Sequence, residues 1–141
     1  MKPDLYLLDA NVVLRFVLGY PEAQHSKTRS LLEAAERDEL RLRLRAVILA
    51  ECVYVLASFY ELDRAEVAAE LRRVIILPGI ETAQTDVLLA ALDHFGRSRL
   101  DFADCYLGAI AQATSAGVAS FDKDFKRMRD VRTFDWASLS D

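Results

Sequence analysis

The chain has 141 residues, a formal net charge of −4, 52% hydrophobic residues and 28% charged residues. This length and composition predict one globular domain, over residues 1–141, with a substantial hydrophobic core. The acidic balance argues against a protein that coats nucleic acid through charge alone. It does not exclude a nuclease, because a bound metal converts an acidic pocket into a site for phosphate. No apolar run approaches the ~20 residues of a membrane span.

The N-terminus and the cysteines indicate a compartment. One lysine precedes an apolar run that ends at Asp9, which is not the form of a signal peptide. We therefore expect a cytoplasmic protein that does not interact with a membrane. Cys52 and Cys105 both fall in expected helices. In that compartment we expect both thiols to be reduced and buried rather than joined in a disulfide.

The first third of the chain predicts a strand followed by two helices. Residues 5–8 form a short apolar run, which is typical of a buried parallel strand, and Asp9 ends that run. Apolar residues then recur at helical spacing, with Asn11 at the start of the helix. A second helix is predicted from Pro21 to about Asp38.

The middle of the chain predicts a second strand and two more helices. Residues 41–45 alternate arginine with leucine, which indicates a strand whose arginines lie on a solvated face. The run stays apolar to Leu49, and residues 50–60 carry the stripe of a helix. Asp63 and Glu66 have the spacing of a capping box, which would open the next helix.

The last part of the chain continues the alternation of strands and helices after a break at Pro78-Gly79. The predicted elements are an edge strand near Ile80, a helix ending near Gly96, an alanine-rich helix over 102–116 closed by Gly117, and short strands at 118–121 and 131–134.

Short strands that alternate with longer helices predict an α/β fold. We expect a three-layer α/β/α sandwich around a central, mainly parallel sheet of four to five strands, with about seven helices. In an open sheet of this kind, ligands bind beyond the carboxyl ends of the strands. Polar residues that follow strands are therefore the candidates for a functional site.

Four acidic residues lie where the pattern changes from apolar to polar, or inside an apolar helix face. They are Asp9 after the first strand, Glu51 at the start of the helix after the second strand, Asp104 in the first turn of the alanine-rich helix, and Asp122 after the strand at 118–121. If the strands are parallel, these carboxylates converge at one edge of the sheet. Each acid alone is explained equally well as a helix N-cap or a surface residue.

Converged carboxylates repel one another, and a divalent cation relieves that repulsion. Hard oxygen ligands favour Mg²⁺ or Mn²⁺. An ion of this kind activates water and stabilises charge on a phosphate, which suits phosphodiester hydrolysis. A zinc site is not expected, because His25 and His94 are isolated and the chain has no His/Cys set with zinc spacing.

The sequence motifs around the four acids, taken together and in order, resemble those of a PIN domain. They are LDANVVL at 8–14, AECVYVL at 50–56, DFAD at 101–104 and SFDKDF at 120–125. More narrowly, the chain is similar to the VapC-type toxins of VapBC toxin–antitoxin pairs. The resemblance implies an α/β/α sandwich and a Mg²⁺- or Mn²⁺-dependent endoribonuclease. Such an enzyme cuts RNA, often a tRNA or an rRNA, and is silenced by a VapB-type antitoxin protein.

The resemblance also implies roles for particular residues. The catalytic and metal-binding acids are Asp9, Glu51, Asp104 and Asp122. The polar residues that orient them are Asn11 and Ser120, with Ser120 standing where Thr is more usual. Two further acids, Asp101 and Asp124, match commonly acidic positions. In this scheme Asp9 and Asp104 bind the first ion directly. Glu51 and Asp122 bind it through water or hold a second ion, and the products carry a 5′-phosphate and a 3′-hydroxyl.

The expected partners are RNA, the antitoxin and a second copy of the chain in a homodimer. The resemblance places the antitoxin along the second helix and the helix at 50–60, with an Arg or Lys directed toward Asp9 and Asp104. The residues Lys123, Lys126, Arg127, Arg129 and Arg132 cluster after the last acid. They suit either RNA phosphates or an ordinary solvated surface.

Three other classes of protein remain open at this point. A receiver-like signalling domain has a similar acidic pocket but needs a lysine on a later strand, whereas Lys123 follows Asp122 directly. A hydrolase that forms a phosphoacyl intermediate would carry Asp-x-Asp after the first strand, where this chain has Asn11. A non-catalytic PIN-like binding module would lack some of the acids, and all four are present.

Overall fold

The computed structural model describes residues 2–139 and shows a mixed α/β fold with a parallel sheet, as predicted. The strands are β1 (Leu5–Leu7), β2 (Arg41–Arg43) and β3 (Ile80–Glu81). The helices are α1 (Ala10–Leu18), α2 (Glu22–Glu36), α3 (Ala46–Tyr54), α4 (Arg64–Ile75), α5 (Thr85–Arg97) and α6 (Phe102–Thr114). A π-helical turn (Val55–Phe59) continues α3, and two 3-10 helices (Lys123–Arg127 and Trp136–Ser138) follow α6.

The sheet has the order β1-β2-β3, and both strand pairs are parallel. Tyr6 lies opposite Leu42, and Leu42 lies opposite Ile80. The carboxyl ends of the three strands therefore share one edge of the sheet. Asp9 and the start of α1 follow β1 at that edge, and the start of α3 follows β2.

Helical periodicity determines which faces form the core. In α3 and the turn after it, the buried residues are Leu49, Cys52, Val53 and Leu56, a spacing of three and four residues that places them on one face. Helix α3 contacts α1, α4 and α6, while α5 packs between α4 and α6. These contacts give one main core, which brings α3 and α6 side by side.

The predicted burial of the first strand is wrong. Leu5, Tyr6 and Leu7 are 37%, 53% and 65% exposed, and Leu8 is the first buried residue of the run. Within residues 2–139, β1 pairs with β2 alone, so it is an edge strand. The apolar run is typical of a strand covered on both faces, whereas residues 5–7 are left exposed at the edge of the sheet.

Several predicted boundaries also differ. The helix expected to open near Ala50 begins at Ala46, so Glu51 lies inside α3 rather than at its start. Helix α6 ends in Ser115, which has a left-handed backbone with φ of 59°, and Gly117 is not its C-cap. Asp63 precedes α4, but its side chain makes no capping hydrogen bond.

The sheet described over residues 2–139 has three strands rather than four or five. The last two predicted strands are reduced to a single parallel bridge between Val118 and Thr133. Val118 instead belongs to a second, small core cluster with Ala111, Phe125 and Met128. This cluster holds the segment after α6 against that helix.

Two further findings concern the sequence expectations. Cys52 and Cys105 are both free and buried, as predicted. None of the helices within residues 2–139 combines the length and the apolar character needed to cross a membrane.

Candidate active site

Asp9 occupies the junction between β1 and α1. It is the N-cap of α1, and its Oδ1 accepts a hydrogen bond from the backbone N–H of Ala10 at 2.9 Å. Asn11 follows in the first turn of the helix, and both side chains are exposed. The Asp-Ala-Asn sequence thus places an acid and an amide together beyond the carboxyl end of a strand, where ligands bind in open α/β sheets.

Cys52 connects this junction to Glu51. The Cys52 thiol is fully buried, and its Sγ lies 3.9 Å from the carbonyl oxygen of Ala10. Burial, and to a smaller extent the nearby carboxylates of Glu51 and Asp9, raises the pKa of this thiol to about 12. Both acids therefore lie close enough to affect the pKa of the same thiol. Asp9 does so from the N-cap of α1, and Glu51 from within α3. They form the first acidic group.

Asp104 is the centre of a second acidic group. It is half-buried in the first turn of α6. Burial is the main cause of the raised pKa of its carboxyl group, followed by the negative charges of Asp122, Asp101 and Asp124. The four acids of this group therefore lie close together, and the proximity of Asp122 to Asp104 agrees with the sequence expectation.

The turn that carries Asp122 is held by two hydrogen bonds from backbone N–H groups. The Ser120 hydroxyl oxygen accepts one from Asp122 at 2.9 Å, and Asp122 Oδ1 accepts one from Asp124 at 2.9 Å. Ser120 therefore fixes the backbone of the acid that follows it. A threonine hydroxyl would make the same contact, so the serine at this position leaves the hydrogen bond unchanged.

Arg64 was not among the predicted site residues. Its Nε donates to the carbonyl oxygen of Phe95 at 3.0 Å, and its Nη2 donates to the carbonyl oxygen of Leu100. Its guanidinium carbon also lies 3.7 Å from the centre of the Phe95 ring. Because Leu100 directly precedes Asp101, Arg64 holds the turn from which α6 and Asp104 start. An arginine in the first turn of a helix gives no sequence signal for this role.

The two acidic groups do not form a preformed metal-binding site. Within residues 2–139, no group of three or more His, Cys, Asp or Glu side chains is placed so that it could hold an ion. The chemistry of the donors nevertheless suits Mg²⁺ or Mn²⁺, since all are carboxylates. The crowding of negative charge around Asp104 also favours a cation there. The donor types fit a divalent ion, whereas their spacing leaves any ion dependent on water ligands or on movement of the side chains.

An apolar groove lies between α3 and α6, and Asp101 of the second acidic group lines one part of it. It is lined by Val47, Phe102 and Leu107, and it continues toward Tyr54. Val47 is 73% exposed, Tyr54 is 70% exposed and Leu107 is 44% exposed. Large apolar side chains at this exposure are typical of an interaction surface.

Helix α2, which the sequence also assigned to an interaction surface, differs from this groove. Ala35 is buried, and Leu31 and Leu32 are half-buried against the main core. The apolar residues of α2 therefore serve packing, and the exposed apolar surface belongs to α3 and α6.

Comparison with known proteins identifies the family of the chain. The sequence matches no curated protein. Residues 6–131, which are most of the chain, match the family model described as PIN domain. PIN domains are generally nucleases that use divalent metal ions, and this chain belongs to the PIN domain family.

Proposed function

We propose that the protein is a metal-dependent endoribonuclease of the VapC type that hydrolyses RNA phosphodiester bonds in the cytoplasm. Its catalytic domain would comprise residues 1–141. The observation that carries the proposal is the acidic group around Asp104, whose pKa is raised first by burial and then by the carboxylates of Asp122, Asp101 and Asp124. In a family that is generally nucleolytic, crowded negative charge of this kind is what a divalent cation compensates.

The proposed catalytic and metal-binding residues are Asp9, Glu51, Asp104 and Asp122. When bound, Mg²⁺ or Mn²⁺ would activate water and stabilise charge on the phosphate. Asp9 and Asp104 are assigned to the ion directly, and Glu51 and Asp122 to its water ligands or to a second ion. Ser120 keeps Asp122 in position through the hydrogen bond to its backbone. Asn11, in the first turn of α1 and two residues after Asp9, is assigned to orienting the acidic cluster.

The direct test is cleavage of a mixed RNA population, including tRNA and rRNA, by the purified protein with Mn²⁺ or with EDTA. We expect cleavage with Mn²⁺, none with EDTA, and products that carry a 5′-phosphate. A 5′-phosphate end accepts ligation to a hydroxyl end, and a 5′-hydroxyl end does not, so the ends can be identified. Cleavage that continues in EDTA would contradict the metal-dependent mechanism.

A second function is favoured by one observation, the absence within residues 2–139 of three acids placed to hold an ion. A PIN-like module that binds RNA without cutting it would need no such group. The two functions are distinguished by the same assay, because a non-catalytic module would bind RNA in Mn²⁺ and leave it intact. A receiver-like domain is not favoured, since Lys123 lies in a 3-10 helix rather than on a strand.

We also propose a VapB-type antitoxin as the protein partner, with its apolar helix in the groove between α3 and α6. The groove has exposed Val47 and Tyr54 on one side and Leu107 on the other, and it lies beside acidic side chains. An Arg or Lys from the antitoxin would compensate Asp9 and Asp104 as the metal does, so antitoxin and metal should compete.

Two measurements test these partners. Inhibition by the antitoxin is expected to weaken as Mn²⁺ is raised, and inhibition independent of Mn²⁺ would instead indicate steric exclusion of RNA. A homodimer is proposed for the isolated protein. Light scattering should then give twice the mass of the 15.9 kDa chain.

A further inference from the structure

Three exposed aromatic side chains cluster in the segment after α6, next to Asp122. The rings of Phe121 and Trp136 are stacked, with centroids 4.5 Å apart and planes inclined by 16°. Phe134 packs edge-on against Trp136, with centroids 4.9 Å apart. Phe121 is 85% exposed, and Phe134 and Trp136 are each 40% exposed. Neither core cluster includes these rings, so packing of the fold does not account for them.

The cluster is hydrogen-bonded to the turn that carries the candidate acid Asp122. The indole N–H of Trp136 donates to the carbonyl oxygen of Ser120 at 2.9 Å. The hydroxyl oxygen of the same Ser120 accepts from the backbone N–H of Asp122. Phe121 lies between these two residues in the chain. One residue, Ser120, therefore fixes the aromatic pair and the acid relative to each other.

The segment that carries the pair is rich in charged residues, and its acids are Asp122, Asp124, Asp130 and Asp135. The basic residues of this segment, all exposed, are Lys123, Lys126, Arg127, Arg129 and Arg132. Protein–protein interfaces are enriched in aromatic residues and Arg but depleted of Lys and Asp, and this segment carries Lys123 and Lys126 together with Asp122 and Asp124. Aromatic faces and cationic side chains in one exposed segment are the two parts of a surface for single-stranded nucleic acid, in which bases stack and phosphates pair with Lys and Arg.

We propose that Phe121 and Trp136 form a stacking platform for an unpaired base of RNA, with the neighbouring phosphates on the basic segment. The identity of the strand as RNA rests on the proposed function. A base on Phe121 would lie one residue from Asp122, so the platform would present the adjoining phosphodiester to the acids. The platform thereby selects unpaired regions of RNA, because a base inside a duplex has no free face for stacking.

The test uses binding in EDTA, where the RNA is not turned over. Trp136 is the sole tryptophan of the chain, so its fluorescence reports on this site alone. An unstructured, end-labelled RNA is titrated with wild type, and anisotropy and tryptophan emission are followed together. We expect saturable binding with quenching of Trp136, and much weaker binding of a duplex of the same length.

Phe121→Leu keeps an apolar side chain and removes the ring. Stacking contributes about 1–3 kcal/mol per base, so this variant should weaken single-strand binding by roughly 5- to 150-fold. Phe121→Trp should retain it. Phe59→Leu is the matched control, because Phe59 is 75% exposed but lies in the π-helical turn. It should bind like wild type.

The platform is contradicted by equal RNA affinity of Phe121→Leu and wild type, by equal binding of duplex, or by binding that leaves Trp136 emission unchanged. Loss of antitoxin binding alone in Phe121→Leu would also overturn it, since the surface would then dock protein. Failure of the proposed function would be a separate outcome. If the wild type binds single strands through Phe121 but does not cut RNA with Mn²⁺, the stacking platform stands and the nuclease proposal is wrong.

Discussion

The Sγ of Cys52 lies 3.9 Å from the carbonyl oxygen of Ala10, and this buried contact joins α3 to the first residue of α1. Ala10 adjoins Asp9, and Cys52 adjoins Glu51. The contact therefore positions two acids, Asp9 and Glu51, that are 42 residues apart in the sequence.

The first prediction concerns the thiols. Burial raises the pKa of Cys52 to about 12 and also raises the pKa of Cys105. Because the thiolate is the reactive form, neither cysteine should react with a disulfide reagent in the native protein at pH 8. Both should react in denaturant, as the chain has two cysteines. Rapid reaction of the Cys52 thiol in the native state would show that the junction of α1 and α3 is open.

The second prediction concerns Asp104 in the absence of metal. The fold raises the pKa of this carboxyl group, so its charged form is disfavoured in the native state relative to the unfolded chain. Asp104→Asn should therefore increase the free energy of unfolding at pH 7. As the pH falls through the raised pKa, the native state takes up the proton first and the difference between variant and wild type should shrink.

Urea unfolding in EDTA at pH 7 and at pH 4 measures this difference. Asp38→Asn is the control, because Asp38 is exposed and has a φ of 60°, a conformation that Asn tolerates well. A lower stability of Asp104→Asn than of wild type at pH 7 would mean that Asp104 is stabilised by its surroundings, contrary to this interpretation.

The third prediction concerns the sheet. Glu81 accepts hydrogen bonds from Arg41 at 2.8 Å and from Arg43 at 3.1 Å, and these lower the pKa of its carboxyl group to about 2. The ion pairs thus stabilise the fold fully above the ordinary pKa of 4.5, and this stabilisation is lost as the pH falls toward 2. Glu81→Gln should lower stability at pH 7 and have a smaller effect at pH 3. An equal effect at both pH values would contradict the ionic role.

The fourth prediction concerns the metal. An ion that binds the native state alone adds about 2.7 kcal/mol of stability at 100 times its dissociation constant. For a domain of this size, that corresponds to a rise in Tm on the order of 5–10 °C. Calorimetric scans should show this rise with Mn²⁺ for wild type and a much smaller one for Asp104→Asn. Scans in EDTA and in Mn²⁺ that superimpose would show that the native state has no such site.

The α/β class and the order of the elements could be predicted from the sequence, because helical stripes such as Leu88, Leu92 and Phe95 leave little ambiguity. The boundary at Ala46 could not, since residues 46–49 are apolar at every position and suit a strand and a helix equally. The tertiary burial of Leu49 with Cys52 on one helix face decides in favour of the helix.

The exposure of β1 also could not be predicted from the sequence. Its apolar run indicates that the strand is extended, whereas its position at the edge of the sheet depends on which strands pair with it. Likewise, the arginines of β2 have the spacing of a solvated face, but Arg41 and Arg43 pair with Glu81, some 40 residues away in the chain. Alternation within one strand cannot show a partner on another strand.

For the candidate site, the sequence placed the acids at junctions between elements, and the structure brings Asp104 and Asp122 together. Their catalytic role stays a prediction. Arg64 and Trp136 were missed, since each acts through a backbone carbonyl oxygen that the fold brings near, on Leu100 and Ser120 respectively. Contacts to the backbone leave no residue pattern in a single sequence.

The most direct test of the central claim is the initial rate of RNA cleavage in Mn²⁺ by wild type and by variants of the four acids. These are Asp9→Asn, Glu51→Gln, Asp104→Asn and Asp122→Asn, with Asp38→Asn as the matched control. The proposed site predicts that each of the four loses all or nearly all activity while the control keeps the wild-type rate. Wild-type rates in both Asp9→Asn and Asp104→Asn, with contaminating nuclease excluded, would place the chemistry elsewhere in the molecule.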